Sequence, residues 1–227
     1  MMTTSQILNS FNTSIDIYKQ YTLDELQKKL EEAYKNAMIK DKFMIIDVET
    51  SGLPIRKSFY STPDPSMIDL YKNARIVEIA YIIYDSQFNI IRKVESLVKP
   101  EGFIIENSHI HKITQEEACQ NGQNIETILQ NLEKDLIDVE RIVAHNIDFD
   151  INIILSECYR SKKNNLIKNI FLKQKYCTMK NGKSLMKTKK YPKLTELYQY
   201  IFKKEVIQKH RALSDVEICA DCYRKLI

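Results

Sequence analysis

The sequence contains little glycine, and this scarcity limits the kinds of phosphate-binding site that it can build. Only four of the 227 residues are glycine, and no stretch matches a Walker-type loop or the G-x-G-x-x-G turn of dinucleotide-binding proteins. Tryptophan is absent, and the five cysteines are irregularly spaced, as is typical of free thiols in a reducing compartment. Neither a glycine-rich phosphate loop nor a disulfide framework is therefore expected.

Long apolar runs are missing as well. No window approaches the ~18 uninterrupted apolar residues of a membrane span, because Glu78 interrupts the best candidate, residues 76–84. The first residues lack a basic start followed by an apolar core, so no secretory signal is predicted. The net charge of +4 is too small to indicate a partner by itself. These features predict a soluble intracellular protein with no membrane partner, cytoplasmic or, in a eukaryote, nuclear.

Hydrophobic patterning divides the chain into a helical preface and an α/β domain. Thr22 and Glu25 have the spacing of a capping box at a helix start. A stripe of apolar residues with helical spacing begins within this capping box and continues beyond it: Leu23, Leu26, Leu30, Ala33 and Ala37. From Phe43, a short continuous apolar run is typical of a central strand covered on both faces. We therefore predict an N-terminal helical extension over residues 1–41 and one α/β domain over residues 42–227.

Strand-like and helix-like segments then follow one another. Residues 75–84 and 89–98 are β-rich runs separated by a short turn, as in a hairpin, whereas residues 54–73 hold three of the five prolines and predict an extended loop. Further strands are predicted at residues 141–145 and within residues 166–178. Helices are predicted after Thr114, from Ile125, from residue 146 to about Tyr159, from Leu194 and from Leu213. Early strands that form a meander, followed by strands that alternate with helices, favour a mixed sheet with helices on its faces.

Three acidic segments carry the residue types best suited to chemistry. In D-x-E at residues 47–49, alternation along a strand directs both carboxylates to one face, where their repulsion favours a divalent cation between them. Residues 148–150 place two aspartates at a helix start, and His210 lies five residues ahead of Asp215. Each segment alone has a simpler interpretation: a polar strand end, acidic residues that complement a helix dipole, or a solvated surface histidine.

Together and in this order, D-x-E-T, H-N-x-x-F-D and H-x-A-x-x-D resemble the signature of the DEDDh exonucleases. This DnaQ-like group has a ribonuclease H-like fold and includes the epsilon proofreading subunit of bacterial replicases. The resemblance covers residues 42–227 and extends to I-H-K-I-T at residues 110–114 and K-L-T-E-L-Y at residues 193–198. It implies an α/β domain with a mixed five-stranded sheet and helices on both faces.

The resemblance also implies residue roles, position by position. It assigns two divalent cations, Mg²⁺ or Mn²⁺, to Asp47, Glu49, Asp150 and Asp215, and it makes His210 the general base. The substrate contacts that it implies are Thr50, Leu53, His111, His145 and Asn146. Asp148 falls at a variable position of the second motif. Lys112 stands where the family usually has glycine, and Arg211 stands where a sister group has tyrosine.

The implied activity is a metal-dependent 3'→5' exonuclease that releases nucleoside 5'-monophosphates, with DNA favoured and with proofreading or repair as the setting. Two alternatives stay open: an exoribonuclease that trims RNA, and a nucleic-acid-binding tether in a replication complex. The implied partners are single-stranded or 3'-ended nucleic acid and, through the N-terminal helix, a polymerase or another protein.

A lysine-rich stretch close to the third motif has two interpretations. Residues 173–193 contain eight lysines and no acidic residue, with Tyr176 and Tyr191 between them. Such a segment can bind a phosphate backbone and stack a base. A solvated lysine-rich loop is equally expected from the sequence.

Overall fold

The computed structural model describes residues 22, 25–29, 42–56 and 62–227. The chain divides after Lys40 into two units. In the first unit, residues 25–29 are helical, the Thr22 N–H donates to Glu25 Oε2 over 2.7 Å, and the Glu25 N–H donates to Thr22 Oγ1 over 3.3 Å. These are the reciprocal bonds of the predicted capping box. The predicted apolar stripe, apart from Leu26, lies outside the described residues, so the helical extension stays a prediction.

The second unit is built on one five-stranded sheet. Its strands are β1 (Lys42–Thr50), β2 (Ile76–Tyr84), β3 (Ile90–Leu97), β4 (Val139–Ala144) and β5 (Gln174–Cys177). Their order across the sheet is β3-β2-β1-β4-β5. Strand β1 pairs antiparallel with β2 and parallel with β4, and β5 is parallel to β4. The predicted mixed five-stranded sheet is confirmed, and so is the hairpin of β2 and β3.

Helices connect and cover these strands. They are a 3-10 helix (Ile68–Tyr71), α1 (Ser108–His111), α2 (Gln115–Asn121), α3 (Ile125–Asp135), α4 (Ile147–Arg160), α5 (Asn164–Leu172), α6 (Thr178–Met186), α7 (Leu194–Phe202) and α8 (Ala212–Leu226). None of the described helices is long and apolar enough to cross a lipid bilayer.

Two segments contain helices that were not predicted. The loop predicted over residues 54–73 contains the 3-10 helix, which buries Tyr71. The strand predicted within residues 166–178 is confirmed as β5, and the same stretch also contains most of helix α5 and the start of α6. Helix α5 buries Leu166, Ile167 and Ile170, which is a helical spacing. The amphipathic pattern spans only nine residues, too few to separate a short helix from a strand by periodicity.

Alternation along β1 separates two apolar cores and sets the direction of the acidic pair. Phe43 and Ile45 pack with residues of α7 and α8 on one face, whereas the even-numbered residues pack with α3, α4 and α5 on the other. Helices therefore cover both faces, as predicted. Asp47 and Glu49 continue the odd series, so the pleat directs both carboxylates towards the α8 side of the sheet.

Candidate active site

Asp47 and Glu49 lie at the end of the central strand, where the ladder becomes irregular. Strand pairing places Asp47 opposite Ala80 and Glu49 opposite Glu78, and the register shifts between Glu49 and Thr50. Because directly opposed residues share a face of the sheet, Glu78 adds a third carboxylate to the same side. The strand end therefore concentrates negative charge beneath α8.

Helix α4 supplies the third predicted carboxylate, Asp150. Asn146 has a left-handed φ of 71° at the N-cap of α4, a conformation that asparagine tolerates better than most residues. Asp150 is only 2% exposed, and its Oδ1 accepts a hydrogen bond from the Val48 N–H over 3.2 Å. Asp148 instead faces solvent and accepts from Lys180 Nζ over 2.6 Å. Because they lie two residues apart on a helix, Asp148 and Asp150 point in different directions, one to solvent and one to the protein interior.

Helix α8 and the segment before it bring the remaining two predicted residues. Asp215 is 5% exposed, and its Oδ2 accepts from Gln208 Nε2 over 2.5 Å. Within the part of the chain that the structure describes, its buried Oδ1 has no hydrogen-bond partner. His210 has a left-handed φ of 51°. Candidate ligand atoms of Glu49, His210 and Asp215 all lie within 4.8 Å of one another.

Burial and mutual repulsion raise the pKa of all four carboxyl groups. Burial is the largest cause of the raised pKa of Asp47, followed by the charges of Asp150 and Asp215. The pKa of Glu49 rises to about 8, through burial and then the charges of Asp215 and Glu78. Burial likewise raises the pKa of Asp150 and of Asp215. The cluster therefore holds more negative charge than its protein surroundings balance.

This donor set suits a hard divalent cation. Carboxylate oxygens are the ligands that Mg²⁺ and Mn²⁺ prefer, and a cation would satisfy the unpartnered Oδ1 of Asp215. It would also remove the repulsion that raises the pKa of each group. The residues present thus fit a metal site in three respects: their negative charge, their oxygen ligands and the unpartnered Oδ1 of Asp215.

A cleft of about 500 Å³ opens beside the cluster. Its lining residues are Asp47, His145, Lys193, Leu194, Thr195, Gln208, His210 and Asp215. The volume is within the range of pockets that enclose a single small ligand. The cleft joins the end of β1, the start of α7 and the segment that leads into α8.

His145, a predicted substrate contact, uses both ring nitrogens within the protein. Nδ1 lies 3.0 Å from Thr178 Oγ1, and Nε2 lies 3.0 Å from the Pro192 carbonyl oxygen. A carbonyl only accepts, so Nε2 must carry the proton. In the neutral ring, Nδ1 would accept from the threonine hydroxyl, whose other acceptor is the Ala144 carbonyl at 3.3 Å. Burial lowers the pKa of His145, in keeping with this neutral form. The ring links the end of β4 to the segment before α7. Because both of its nitrogens are bonded within the protein, the ring can face the cleft only with its carbon atoms and its flat face.

The other four predicted substrate residues differ in accessibility. Leu53 is 67% exposed, and Asn146 borders a separate recess of about 120 Å³. Thr50 is half-buried, and its hydroxyl donates to the Gly52 carbonyl over 2.8 Å. His111 is 1% exposed, and its Nδ1 accepts from the Ile113 N–H over 3.1 Å. The ring of His111 is therefore almost completely buried, and its contact with substrate stays a prediction.

The lysine-rich stretch is a strand, a helix and an exposed turn rather than one loop. Lys173 and Lys175 donate to main-chain carbonyls, Lys180 pairs with Asp148, and Lys183 lies 4.4 Å from the centre of the Tyr191 ring. The remaining four lysines, Lys187, Lys189, Lys190 and Lys193, are exposed in residues 187–193, here named the lysine turn. Lys193 also lines the cleft.

Sequence reasoning gave no role to Glu78 or Gln208. Glu78 is fully buried in β2, and Gln208 holds Asp215. A signal for Glu78 was present, because it is the one charged residue within an otherwise apolar strand, and a buried charge requires a partner. Nothing in the sequence pattern singled out Gln208.

Comparison with known proteins identifies the fold. The family model RNase_T, described as exonuclease, matches residues 44–223. The Escherichia coli Exonuclease I complex with a dA16 oligonucleotide is 19% identical over 82% of this chain and 40% of its own, with a TM-score of 0.55. The complex with a dT13 oligonucleotide is 17% identical over 82% and 41%, with a TM-score of 0.57.

A third solved structure extends the likeness to a second organism. Exonuclease I of Methylocaldum szegediense, a moderately thermophilic enzyme, is 18% identical over 82% of this chain and 40% of its own, with a TM-score of 0.56. The chain thus spans about two fifths of the length of these proteins. No curated protein matches it. At this level of identity the likeness establishes the fold, which confirms the ribonuclease H-like architecture.

Proposed function

Because the chain belongs to the RNase_T exonuclease family, we propose that it is a metal-dependent 3'→5' exonuclease that releases nucleoside 5'-monophosphates from nucleic acid, with DNA favoured. Membership confirms the family resemblance of the three motifs and the prediction of an exonuclease. One observation carries the finer proposal: two segments distant in sequence bring Glu49, on one side, and His210 and Asp215, on the other, within 4.8 Å of one another. The carboxylates of this cluster repel one another, and a bound cation would offset that repulsion.

We assign Asp47, Glu49, Asp150 and Asp215 as the ligands of two divalent cations, Mg²⁺ or Mn²⁺. When bound, such cations supply positive charge that offsets the carboxylates and polarises a phosphodiester for attack. The buried positions of Asp150 and Asp215 hold their oxygens in fixed directions, because the Val48 amide and Gln208 each occupy one carboxylate oxygen.

His210 is the proposed general base. It lines the cleft beside Asp47 and Asp215, and histidine can accept a proton from water near neutral pH. The proton leaves the attacking water as its oxygen bonds to phosphorus, and the 3' oxygen of the preceding nucleotide departs. The released product is a nucleoside 5'-monophosphate, and the departing 3' oxygen takes a proton from solvent, so that the shortened strand ends in a 3' hydroxyl.

Single-stranded DNA is the substrate to test first. The solved Exonuclease I complexes contain the oligonucleotides dA16 and dT13, and the exposed lysine turn leads to the cleft through Lys193. An exoribonuclease is the second candidate, because metal chemistry acts on the phosphate and the choice of sugar depends on contacts to the 2' position. A setting in proofreading or repair, and a polymerase or other partner of residues 1–41, stay predictions.

The experiment compares single-stranded DNA and RNA of the same base sequence, each labelled at one end. We expect a ladder of shortened products from the 5'-labelled strand and labelled mononucleotide from the 3'-labelled strand, in Mg²⁺ or Mn²⁺ but not in EDTA. Asp47→Ala should be inactive, and the exposed Asp148→Ala serves as the matched control. Full activity in excess EDTA contradicts the proposal, and faster loss of RNA favours the second candidate. A strand that is bound but never shortened indicates the tether.

A further inference from the structure

Glu78 is a buried charge placed beside the proposed metal ligands without being one of them. It lies on β2 directly opposite Glu49 of β1, and its side chain is 0% exposed. A carboxylate removed from water this completely is stable only when its oxygens are hydrogen-bonded and its charge is paired. Its partners therefore indicate what the residue does.

Those partners are two consecutive residues at the start of α8. Arg211 Nε lies 3.0 Å from Oε1 and 3.1 Å from Oε2 of Glu78, and Arg211 Nη2 lies 2.5 Å from Oε1. The Ala212 N–H donates to Oε2 over 2.8 Å. Arg211 is the N-cap of α8, and its own side chain does not cap the helix. Glu78 therefore supplies, from a different element, the acceptor that the first amide of α8 requires.

His210 immediately precedes this anchored pair. Its φ of 51° is a left-handed conformation that is unfavourable for a residue with a side chain, so the surrounding structure must hold it. A fixed Arg211 on its C-terminal side limits the directions in which the imidazole can point. Glu78, which anchors Arg211, lies on β2 opposite Glu49 of β1. The position of His210 and the positions of Asp47 and Glu49 are therefore fixed by the same pair of strands.

We propose that Glu78 is a positioning residue for His210, which it holds towards the carboxylate cluster through Arg211 and the Ala212 amide. This inference rests on the proposed function for the role of His210. It differs from a role in stability alone, because it predicts that the effect of Glu78 on turnover depends on the histidine. Asp215 has a separate support in Gln208. Because the charge of Glu78 also acts on Glu49, the test is made at saturating Mg²⁺, where metal occupancy does not limit turnover.

The chain offers a closely matched control in Glu157. That carboxylate is 1% exposed, accepts from Arg75 Nε over 2.6 Å and Arg75 Nη2 over 3.2 Å, and accepts from the Ile76 N–H over 3.4 Å. It is thus also a buried glutamate bound by two arginine nitrogens and one main-chain amide. Arg75 and Ile76 lie at the start of β2, Arg160 Nε of α4 lies 3.5 Å from Glu157 Oε2, and Glu157 does not line the cleft.

The test is a double-mutant cycle at saturating Mg²⁺ on a labelled single strand. His210→Ala should lower kcat by about 10²–10⁴-fold, the usual range for a lost general base. Glu78→Gln should lower kcat at least tenfold with KM within twofold, and it should lower kcat no further in the His210→Ala background. Glu157→Gln should leave kcat unchanged, although it also unpairs a buried arginine. A tenfold loss from Glu78→Gln in both backgrounds overturns the proposal.

Two measurements keep the proposal testable if Glu78→Gln folds poorly or the wild type is inactive. Arg211→Lys keeps the charge but loses the two-pronged bond, and it should show the same dependence on His210. In the metal-free protein, the His210 ring signal can be assigned among four histidines by ¹H–¹⁵N NMR. It should shift in Glu78→Gln and not in Glu157→Gln, and an unchanged His210 signal overturns the proposal. Absence of exonuclease activity in the wild type would count against the proposed function, and the NMR result would still stand.

Discussion

Charge repulsion in the cluster should make the metal-free fold sensitive to pH, and Glu49 offers the sharpest test. Burial and the charges of Asp215 and Glu78 raise the pKa of Glu49 from 4.5 to about 8. An unfolded chain loses this proton near pH 4.5, whereas the folded chain keeps it until near pH 8. The fold should therefore lose stability as pH rises through this interval. At ~1.4 kcal/mol per pH unit, the loss is at most ~5 kcal/mol, and solvent screening of the partly exposed carboxylate reduces it.

The variant Glu49→Gln removes the charge and preserves the shape. In EDTA at pH 8, we expect it to unfold at a higher temperature than the wild type, by roughly 2–4 °C for each kcal/mol relieved in a domain of this size. At pH 4.5 and below the gain should largely vanish, because the wild-type carboxyl is then protonated in the folded state. Mg²⁺ at pH 8 should raise the melting temperature of the wild type more than that of the variant.

Differential scanning calorimetry at the two pH values, with and without Mg²⁺, measures these differences. Asp148→Asn is the control, since that carboxylate is exposed and paired with Lys180, and it should show no gain at pH 8. The reasoning is refuted if Glu49→Gln melts at or below the wild-type temperature at pH 8 in EDTA. It is also refuted if the gain is equally large at pH 4.5.

Three further predictions concern the second motif, the lysine turn and the strained Lys112. Asp150→Ala should be inactive and Asp148→Ala active in the strand-shortening assay, because only Asp150 is buried against β1; the reverse result would show the motif register to be wrong. Neutralising Lys187, Lys189 and Lys190 of the lysine turn, in the Asp47→Ala background, should weaken the salt dependence of single-strand binding. The slope of log affinity against log salt should fall by about 0.7 for each phosphate that the turn no longer neutralises. An unchanged slope in filter binding would assign the turn to solvent. Lys112 has a φ of 63°, so Lys112→Gly should stabilise the fold by about 0.5–1 kcal/mol after the greater freedom of the unfolded chain is counted. Urea denaturation measures this, and no gain would contradict it.

The parts of the fold that the sequence predicts well are those encoded by local periodicity. The continuous apolar run of β1 predicts a strand covered on both faces, and i, i+2 alternation predicts that Asp47 and Glu49 share a face. Both features follow from neighbouring residues alone. Helix α5 was not predicted, because Leu166, Ile167 and Ile170 form too short a series to indicate a helix.

What the sequence does not predict is contact between distant segments. His145 and His111 have similar motif status, yet one links two loops beside the cleft and the other is buried at the end of α1. No local pattern distinguishes them, since the difference lies in what packs around each ring. The bond between Glu78 and Arg211 joins residues far apart in sequence and became visible only with the strand register.

The spread of the carboxylates along the chain has a consequence for synthesis. The proposed metal ligands come from positions 47, 49, 150 and 215, and the last belongs to α8, which packs on β1 and β2. At translation rates of about 5–20 residues per second, a nascent chain carries the first pair for roughly 10–30 s before the fourth ligand is made. Until α8 docks, the proposed site has neither its fourth carboxylate nor its base. A nascent chain that ends before residue 210 would therefore lack both groups that the proposed cleavage requires.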